Sequence, residues 1–170
     1  MVEALEIYLM KSHSIKATII ILACLALAAC SSTAPRDYTS AVITLERTVC
    51  FGFCPVYTLT IYGDGRVEYE GQQYVEVTGK QTAVLTPEQV KELVNDFENA
   101  NYFDMEDEYI APVTDLPTTI TSITLDGKFK TVRNYGGCLS ESPVKAPQAL
   151  CELETKIDEL TNSIQWVGAP

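Results

Sequence analysis

The sequence predicts an α+β fold, in which an antiparallel sheet built from β-hairpins carries two helices packed on one face. Three observations support this prediction. After residue 41, short segments alternate apolar and polar residues, as strands with one buried face do. Two pairs of these segments flank glycine-containing turns. Two longer segments repeat apolar residues at helical spacing, so the order along the chain is strands, helix, strands, helix.

The first strands are marked by a two-residue alternation of apolar and polar side chains. Residues 43–45 and 57–61 both show it. The Gly-Asp-Gly sequence at 63–65 predicts a turn, from which residues 66–70 return as the second arm of a hairpin. Two further segments are strand candidates, residues 74–78 and 81–85.

The first helix is expected to begin at a capping box. Thr86 is the predicted N-cap, Pro87 occupies the first helical position, and Gln89 completes the Thr-x-x-Gln pattern. The apolar stripe that follows consists of Val90, Leu93, Val94, Phe97 and Ala100. Residues 102–117 are acidic and broken by two prolines, so they predict a loop.

A second hairpin and a second helix complete the domain. Residues 119–125 and 128–135 flank Asp126-Gly127, a sequence typical of two-residue hairpin turns. The last helix is expected from about Pro147 to Ser163. Its apolar stripe consists of Leu150, Leu153, Ile157, Leu160 and Ile164.

The first thirty residues predict a lipoprotein signal peptide. From Met10, a positively charged start precedes the uncharged residues 17–29, a run too short to span a bilayer. The run ends in Leu-Ala-Ala-Cys, which resembles the lipobox of bacterial lipoproteins. We therefore expect cleavage before Cys30 and attachment of a lipid, palmitate included, to this cysteine.

This assignment divides the chain into four parts. Residues 1–9 are acidic where a signal peptide is normally positive, so we expect the true start at Met10. The signal peptide is residues 10–29, the lipidated cysteine with a flexible tether is residues 30–40, and a single α+β domain is residues 41–165. The expected location is the cell envelope, anchored to a membrane. Since no Asp follows Cys30, resemblance to known sorting rules implies the outer membrane, facing the periplasm, in a Gram-negative cell.

The charge balance excludes one class of partner. The chain of 170 residues has 12 basic and 23 acidic residues, a net charge of −11. Nucleic acids bind to clustered Lys and Arg, so we expect no nucleic-acid partner. The same acidity opposes docking on anionic lipid head groups. Membrane attachment is therefore expected through the lipid anchor alone.

Four cysteines remain once Cys24 and Cys30 are assigned to the signal peptide and the anchor. An even number in an oxidising compartment predicts two disulfides, for which three connectivities are possible. Pairing each cysteine with its nearer neighbour in sequence is favoured. The resulting pairs are Cys50 with Cys54 and Cys138 with Cys151.

Several segments together resemble the bacterial family known as domain of unknown function 6438. They are Cys-Phe-Gly-Phe-Cys-Pro-Val-Tyr at 50–57, Ile-Tyr-Gly-Asp-Gly at 61–65, Tyr-Glu-Gly at 69–71, Thr-Asp-Leu-Pro-Thr-Thr at 114–119 and Asn-Tyr-Gly-Gly at 134–137. The resemblance extends from about Val42 to Leu160. It implies a small envelope-associated domain and brings no activity with it.

Few residues of the sequence could support an enzymatic or metal-binding function. The one histidine is His13, inside the signal peptide, so the domain can form no Ser–His–Asp or Cys–His pair. Cys50-x-x-x-Cys54-Pro resembles the loop of Sco-type copper chaperones but lacks their histidine ligand, and four cysteine thiolates could bind zinc. Five acidic residues could supply a carboxylate pair or calcium ligands, although a solvated loop is expected. They are Asp104, Glu106, Asp107, Glu108 and Asp115.

Two further groups of residues favour structural roles. Tyrosines at strand spacing are expected to pack against the sheet, and Arg47 to pair with a local acid. These tyrosines are Tyr57, Tyr62, Tyr69 and Tyr74.

We therefore expect a lipid-anchored envelope protein with a non-catalytic domain that binds a protein or glycan partner or assists assembly. No catalytic residue and no cofactor are expected. The alternative is a redox or metal-handling lipoprotein that acts through Cys50 and Cys54.

Overall fold

The computed structural model describes residues 37–168. The predictions made for residues 1–36, among them the signal peptide and the lipidation of Cys30, lie outside this part of the chain. Seven strands and three helices are present within it. The strands are β1 (Val42–Arg47), β2 (Val56–Tyr62), β3 (Arg66–Gln73), β4 (Gly79–Val84), β5 (Glu108–Ile110), β6 (Thr118–Leu125) and β7 (Lys128–Tyr135). The helices are α1 (Pro87–Asn99), α2 (Gln148–Thr161) and α3 (Ile164–Val167), with a 3₁₀ turn at Tyr102–Asp104.

All seven strands form one open sheet in the order β4-β3-β2-β1-β6-β7-β5. Neighbouring strands are antiparallel except β5, which pairs with β7 in parallel. The first strand lies at the centre, with Leu45 opposite Leu59 on one side and Thr121 on the other. The predicted hairpins, β2–β3 and β6–β7, therefore lie on opposite sides of β1 and do not pair with each other.

The helices cover one face of the sheet, to which every second side chain of the strands contributes an apolar group. Core positions such as Leu45 and Leu59 are fully buried, while their neighbours Thr44 and Thr60 lie on the opposite, uncovered face. The helices contribute their predicted stripes to the same core. These buried helical residues are Val90, Leu93, Val94 and Phe97 of α1 and Leu150, Leu153 and Ile157 of α2. The predicted α+β class with helices on one face is confirmed, and the sheet is mostly antiparallel, with β5 as its parallel strand.

The two best-marked sequence signals form the structures they predict. Thr86 Oγ1 accepts from the Gln89 backbone N–H at 3.2 Å, and Gln89 Oε1 accepts from the Thr86 backbone N–H at 2.9 Å. This capping box supplies two of the partners that a helix start lacks. In the second hairpin, Asp126 and Gly127 both have positive φ, 52° and 75°. Turns of this handedness match the twist of the flanking strands.

Three predictions about local structure were wrong. Residues 74–78 are not a strand: Tyr74 has φ 54°, and the backbone N–H groups of Glu76 and Val77 donate to α3 carbonyls. Residues 102–117 are not loop throughout, because they contain the 3₁₀ turn and β5. Ile164 is 51% exposed, since α2 ends at Asn162 in a left-handed conformation that redirects the chain, and Trp166 enters the core instead.

Candidate functional site

The loop between β1 and β2 displays two aromatic side chains to solvent. Cys50 and Cys54 form a disulfide across it, with their Cα atoms 5.8 Å apart. Between them, Phe51 is 87% exposed and Phe53 is 86% exposed. The disulfide-closed loop has only five residues, which is too short for the two phenylalanine side chains to fold back onto the core. The disulfide therefore holds two large apolar groups outward, next to Val49, which is also exposed.

This cysteine loop borders an open groove of about 940 Å³ at one end of the sheet. Its apolar walls include Phe53, Tyr74 and Ile164, which come from three separate segments of the chain. The rings of Phe53 and Tyr74 meet edge to face, with centroids 5.3 Å apart and planes at 88°. Tyr74 reaches this place because residues 74–78 leave the sheet. We call this feature the aromatic groove.

The floor of the aromatic groove is a polar network centred on Asp158 of α2. Its carboxylate accepts hydrogen bonds from Arg47 Nη2 at 2.7 Å, from the Tyr57 hydroxyl at 2.8 Å and from Ser163 Oγ at 2.7 Å. Arg47 Nη1 also donates to Thr119 Oγ1 at 3.2 Å. Tyr57, Arg47 and Thr119 lie opposite one another on β2, β1 and β6. The floor is thus a cross-strand row tied to a helix, and its ion pair cancels its own charge.

Arg47 and Tyr57 show how burial and charge act in this floor. Burial raises the pKa of Tyr57 well above its ordinary value, and Asp158 raises it further although Arg47 opposes this. The hydroxyl therefore stays protonated and donates to Asp158. The prediction that Arg47 pairs with an acid is confirmed, but the acid lies 111 residues away in sequence rather than nearby.

A second polar cluster lies on α2 one turn before Asp158. Glu154 is 5% exposed, and Asn134 Nδ2 donates to both of its carboxylate oxygens at 3.0 Å. Burial raises the pKa of Glu154 to about 7, although the Asn134 hydrogen bond and Arg47 lower it. The cluster adjoins the disulfide between Cys138 and Cys151, which ties the segment after β7 to α2.

The structure brings the four domain cysteines together as the two favoured pairs. Among residues 37–168, no group of three or more His, Cys, Asp and Glu side chains is placed to hold a metal ion. The acidic segment is instead divided among separate ion pairs, Asp107 with Lys130 and Glu108 with Arg133. Neither the four-thiolate set nor the calcium ligands considered from the sequence are therefore assembled here.

The tyrosines divide between the core and the surface. Tyr57 and Tyr69 are buried against the sheet as predicted. Tyr62 is stacked by the Arg66 guanidinium at 3.6 Å from its ring centre. Tyr74 is 51% exposed and lines the aromatic groove, so sheet packing was the wrong prediction for it.

Sequence reasoning missed the aromatic groove and the roles of Glu154 and Asp158, two of the four acids of α2. Asp158 and Glu154 look like members of an ordinary polar helix face, because nothing in the sequence reveals that Arg47 and Asn134 lie opposite them. One signal was available: two phenylalanines within a five-residue cysteine ring cannot reach a core. That arrangement predicts exposed aromatic rings.

These features define a small α+β domain with a sheet covered on one face, two disulfides and an aromatic groove at one end. Residues 41–161 match the family described as domain of unknown function (DUF6438), and the chain belongs to this family. Two of the stretches that carry the resemblance contribute to the features described above. The cysteine loop borders the aromatic groove, and the Asn134–Gly137 segment belongs to the polar cluster around Glu154. No curated protein matches the chain. Within residues 37–168, every helix is too short or too polar to cross a membrane.

Proposed function

We propose that this protein is a lipid-anchored component of the bacterial envelope whose domain binds a protein partner, without catalysis, through the aromatic groove. The observation that carries the proposal is the outward display of Phe51 and Phe53, 87% and 86% exposed, on a disulfide-closed loop. Exposed aromatic clusters next to a groove are typical of protein interaction sites. The anchor itself is supported by the lipobox-like sequence that ends at Cys30.

The loop is suited to binding because it is ordered before a partner arrives. A partner that buries a phenylalanine side chain gains about 1.5–3 kcal/mol from each ring. Ordering a flexible loop during binding would offset part of this gain. The Cys50–Cys54 disulfide restricts the loop in advance. Phe51 and Phe53 are therefore the expected anchor residues of the interface.

The shape and charge of the aromatic groove favour a polypeptide over a glycan. Sugar rings stack on flat aromatic faces, whereas Phe53 and Tyr74 stand at 88° to each other and present no common plane. The Arg47–Asp158 pair is internally neutral, and Glu159 adds a further acid to the groove wall. The whole chain also carries a net charge of −11. We infer a partner segment that presents apolar side chains together with Lys or Arg.

The position of the cysteine loop keeps the exposed phenylalanines away from the N-terminal end of the described domain. Asp37, where the described chain begins, lies before the start of β1, and the cysteine loop follows its other end. Six strand residues separate these ends, a distance of about 20 Å at the usual rise per residue. Residues 37–40 therefore lead into the end of β1 opposite to the cysteine loop. The exposed phenylalanines thus lie at the end of β1 remote from residues 37–40.

The redox or metal-handling alternative depends on a reactive thiolate at Cys50 or Cys54. A thiolate is stabilised by a neighbouring cation, a metal or a helix N-terminus. The residues between the two cysteines are Phe-Gly-Phe, and they supply no such group. No specific feature of the loop favours this alternative.

The proposal is tested by placing a photo-crosslinking phenylalanine analogue at residue 53 in cells that make the full chain. The matched control is the same analogue at Phe129, a phenylalanine of β7 that is 66% exposed and lies outside the aromatic groove. We expect a protease-sensitive adduct with a defined protein from position 53 and none from position 129. The adduct should decrease several-fold when Phe51 is replaced by Ala.

Three outcomes would contradict the proposal. Equal labelling from positions 53 and 129 would show that the aromatic groove is not the interface. An adduct that resists protease and contains sugar would replace the protein partner by a glycan. An adduct with lipid alone would show that the loop contacts the membrane.

A further inference from the structure

Behind the floor of the aromatic groove lies a carboxyl group that the proposed function does not use. Glu154 is 5% exposed, and among the described residues no lysine or arginine forms an ion pair with it. It occupies α2 one helical turn before Asp158, so the two carboxyl groups lie on the same face of the helix. A buried acid without a salt-bridge partner is costly to ionise.

The Asn134–Gly137 segment fixes what Glu154 contacts. The Gly137 backbone N–H donates to Asn134 Oδ1 at 2.9 Å, which turns the amide nitrogen of Asn134 toward Glu154. A Cβ atom at residue 137 would lie 2.7 Å from Asn134 Oδ1, so this approach needs glycine. The segment therefore holds one hydrogen-bond donor against the acid.

The second contact of Glu154 suits a neutral carboxylic acid. Its Oε2 atom lies 3.8 Å from Cys138 Sγ, and a disulfide sulfur has no proton to donate. A protonated Oε2 can donate toward this sulfur, whereas a carboxylate finds no donor there. In the acid form, Oε1 can accept from Asn134 Nδ2 at 3.0 Å, and the O–H at Oε2 can donate to the sulfur as a weak acceptor.

Charged and titratable groups on four elements face Glu154. Arg47 of β1 favours its charged form, Asp158 of α2 opposes it, and the Asn134 amide of β7 favours it. Tyr102 of the 3₁₀ turn is close enough for Glu154 to raise its pKa, after the larger effect of its own burial. Burial outweighs these groups and raises the pKa of Glu154 to about 7.

Arg47 connects Glu154 to the aromatic groove. It is the cation that attracts an ionised Glu154, and it also binds Asp158 in the groove floor. When Glu154 ionises, a second carboxylate attracts Arg47, and a second negative charge one turn away repels Asp158. Both effects weaken the Arg47–Asp158 pair.

We propose that Glu154 is a pH-sensitive switch for the aromatic groove: the neutral acid maintains the Arg47–Asp158 floor, and the carboxylate loosens it and weakens partner binding. The binding consequence rests on the proposed function, whereas the change in the floor belongs to the free domain. The chain has one histidine, His13, so no histidine of the domain competes for this role.

The switch is tested first without any partner, by NMR of the purified full-length chain in detergent across the neutral pH range. We expect the ¹³C carboxyl signal of Glu154 and the ¹⁵Nε signal of Arg47 to titrate together, with a midpoint of about 7. The Arg47 signal should not titrate there in Glu154→Gln. The control Glu152→Gln alters an exposed acid of the same helix and should keep both titrations.

Two NMR results would overturn the switch. One is an Arg47 titration that is the same in Glu154→Gln as in the wild type. The other is a Glu154 midpoint near the ordinary value of 4.5. If Glu154→Gln does not fold, the wild type decides alone, because different midpoints for Glu154 and Arg47 would show that they are not coupled.

The binding consequence is tested with the residue 53 crosslinker in isolated membranes at about pH 6 and about pH 8, values on either side of the expected transition. We expect several-fold less adduct at the higher pH for the wild type and no pH dependence for Glu154→Gln. Equal yields at both pH values in the wild type would overturn the coupling. The absence of adduct at both, with the NMR titrations intact, would instead overturn the proposed function and leave the change in the floor standing.

Discussion

Among individual residues, Glu154 shows most directly how burial competes with charge. Its folded pKa of about 7 lies above the ordinary value of 4.5, so the folded domain binds this proton more tightly than the unfolded chain does. The resulting stabilisation is complete below about pH 4.5 and is lost as the pH rises through about 7. Since one pKa unit corresponds to about 1.4 kcal/mol, the loss amounts to about 3 kcal/mol at most.

This difference predicts the effect of Glu154→Gln on stability. Between about pH 5 and pH 8, the free energy of unfolding of the wild type should fall by up to about 3 kcal/mol more than that of Glu154→Gln. Urea denaturation at several pH values measures both slopes. The Glu152→Gln control should follow the wild type. Identical slopes for the wild type and Glu154→Gln would show that Glu154 has an ordinary pKa in the folded domain.

At the level of elements, the cysteine loop joins β1 to β2 and carries the exposed phenylalanines. Replacing Cys50 and Cys54 together by Ser removes a short covalent ring, so we expect a loss of about 1–3 kcal/mol in the free energy of unfolding. Phe51 and Phe53 remain in the loop, so the folded variant should still crosslink its partner from position 53, in lower yield because the loop is no longer restricted before binding. A denaturation curve and the adduct yield check these two expectations separately.

The opposite pattern would support the rival function. A double variant that is as stable as the wild type but has lost all activity in a deletion strain would assign these cysteines to redox or metal chemistry. The control is the other disulfide: Cys138→Ser with Cys151→Ser should lower stability too, because it frees the segment after β7 from α2.

Most elements were predictable because their signals are local. The Thr86 capping box and the Asp126-Gly127 turn each depend on residues within four positions of one another, and both form as expected. The strand prediction for residues 74–78 was wrong because their alternation of apolar and polar residues matches a strand, while their backbone hydrogen bonds go to α3, about ninety residues later. The parallel strand β5 was missed because it has three residues and follows acidic sequence.

The candidate site was less predictable than the fold because its partners are distant in sequence. Arg47 and Asp158 lie 111 residues apart, and Asn134 and Glu154 lie 20 apart on different elements. Only the sheet order and the placement of α2 bring them together. The four cysteines are the exception, since each pair is close in sequence.

For the whole molecule, the anchor and the folded domain are expected to be independent. If the proposed anchor is attached to the Cys30 thiol, Cys30→Ser should abolish labelling with a palmitate analogue and release the protein from membranes. The melting temperature of the domain should stay the same, since residue 30 precedes the described domain. Labelling that persists in Cys30→Ser would disprove the anchor. The matched control is Ser31→Ala, which should leave labelling unchanged.

The central position of β1 also determines when this chain can finish folding. One edge of β1 pairs with β2, which follows after a short loop. The other edge pairs with β6, where Thr124 lies opposite Val42 although the two residues are 82 positions apart in sequence. Strands β1 to β4 can form an early meander, and the unpaired edge of β1 stays open until β6 joins. Such an edge is a template for pairing with another chain. Truncation before β6 should therefore leave a fragment that self-associates through the strand meant for the middle of the sheet.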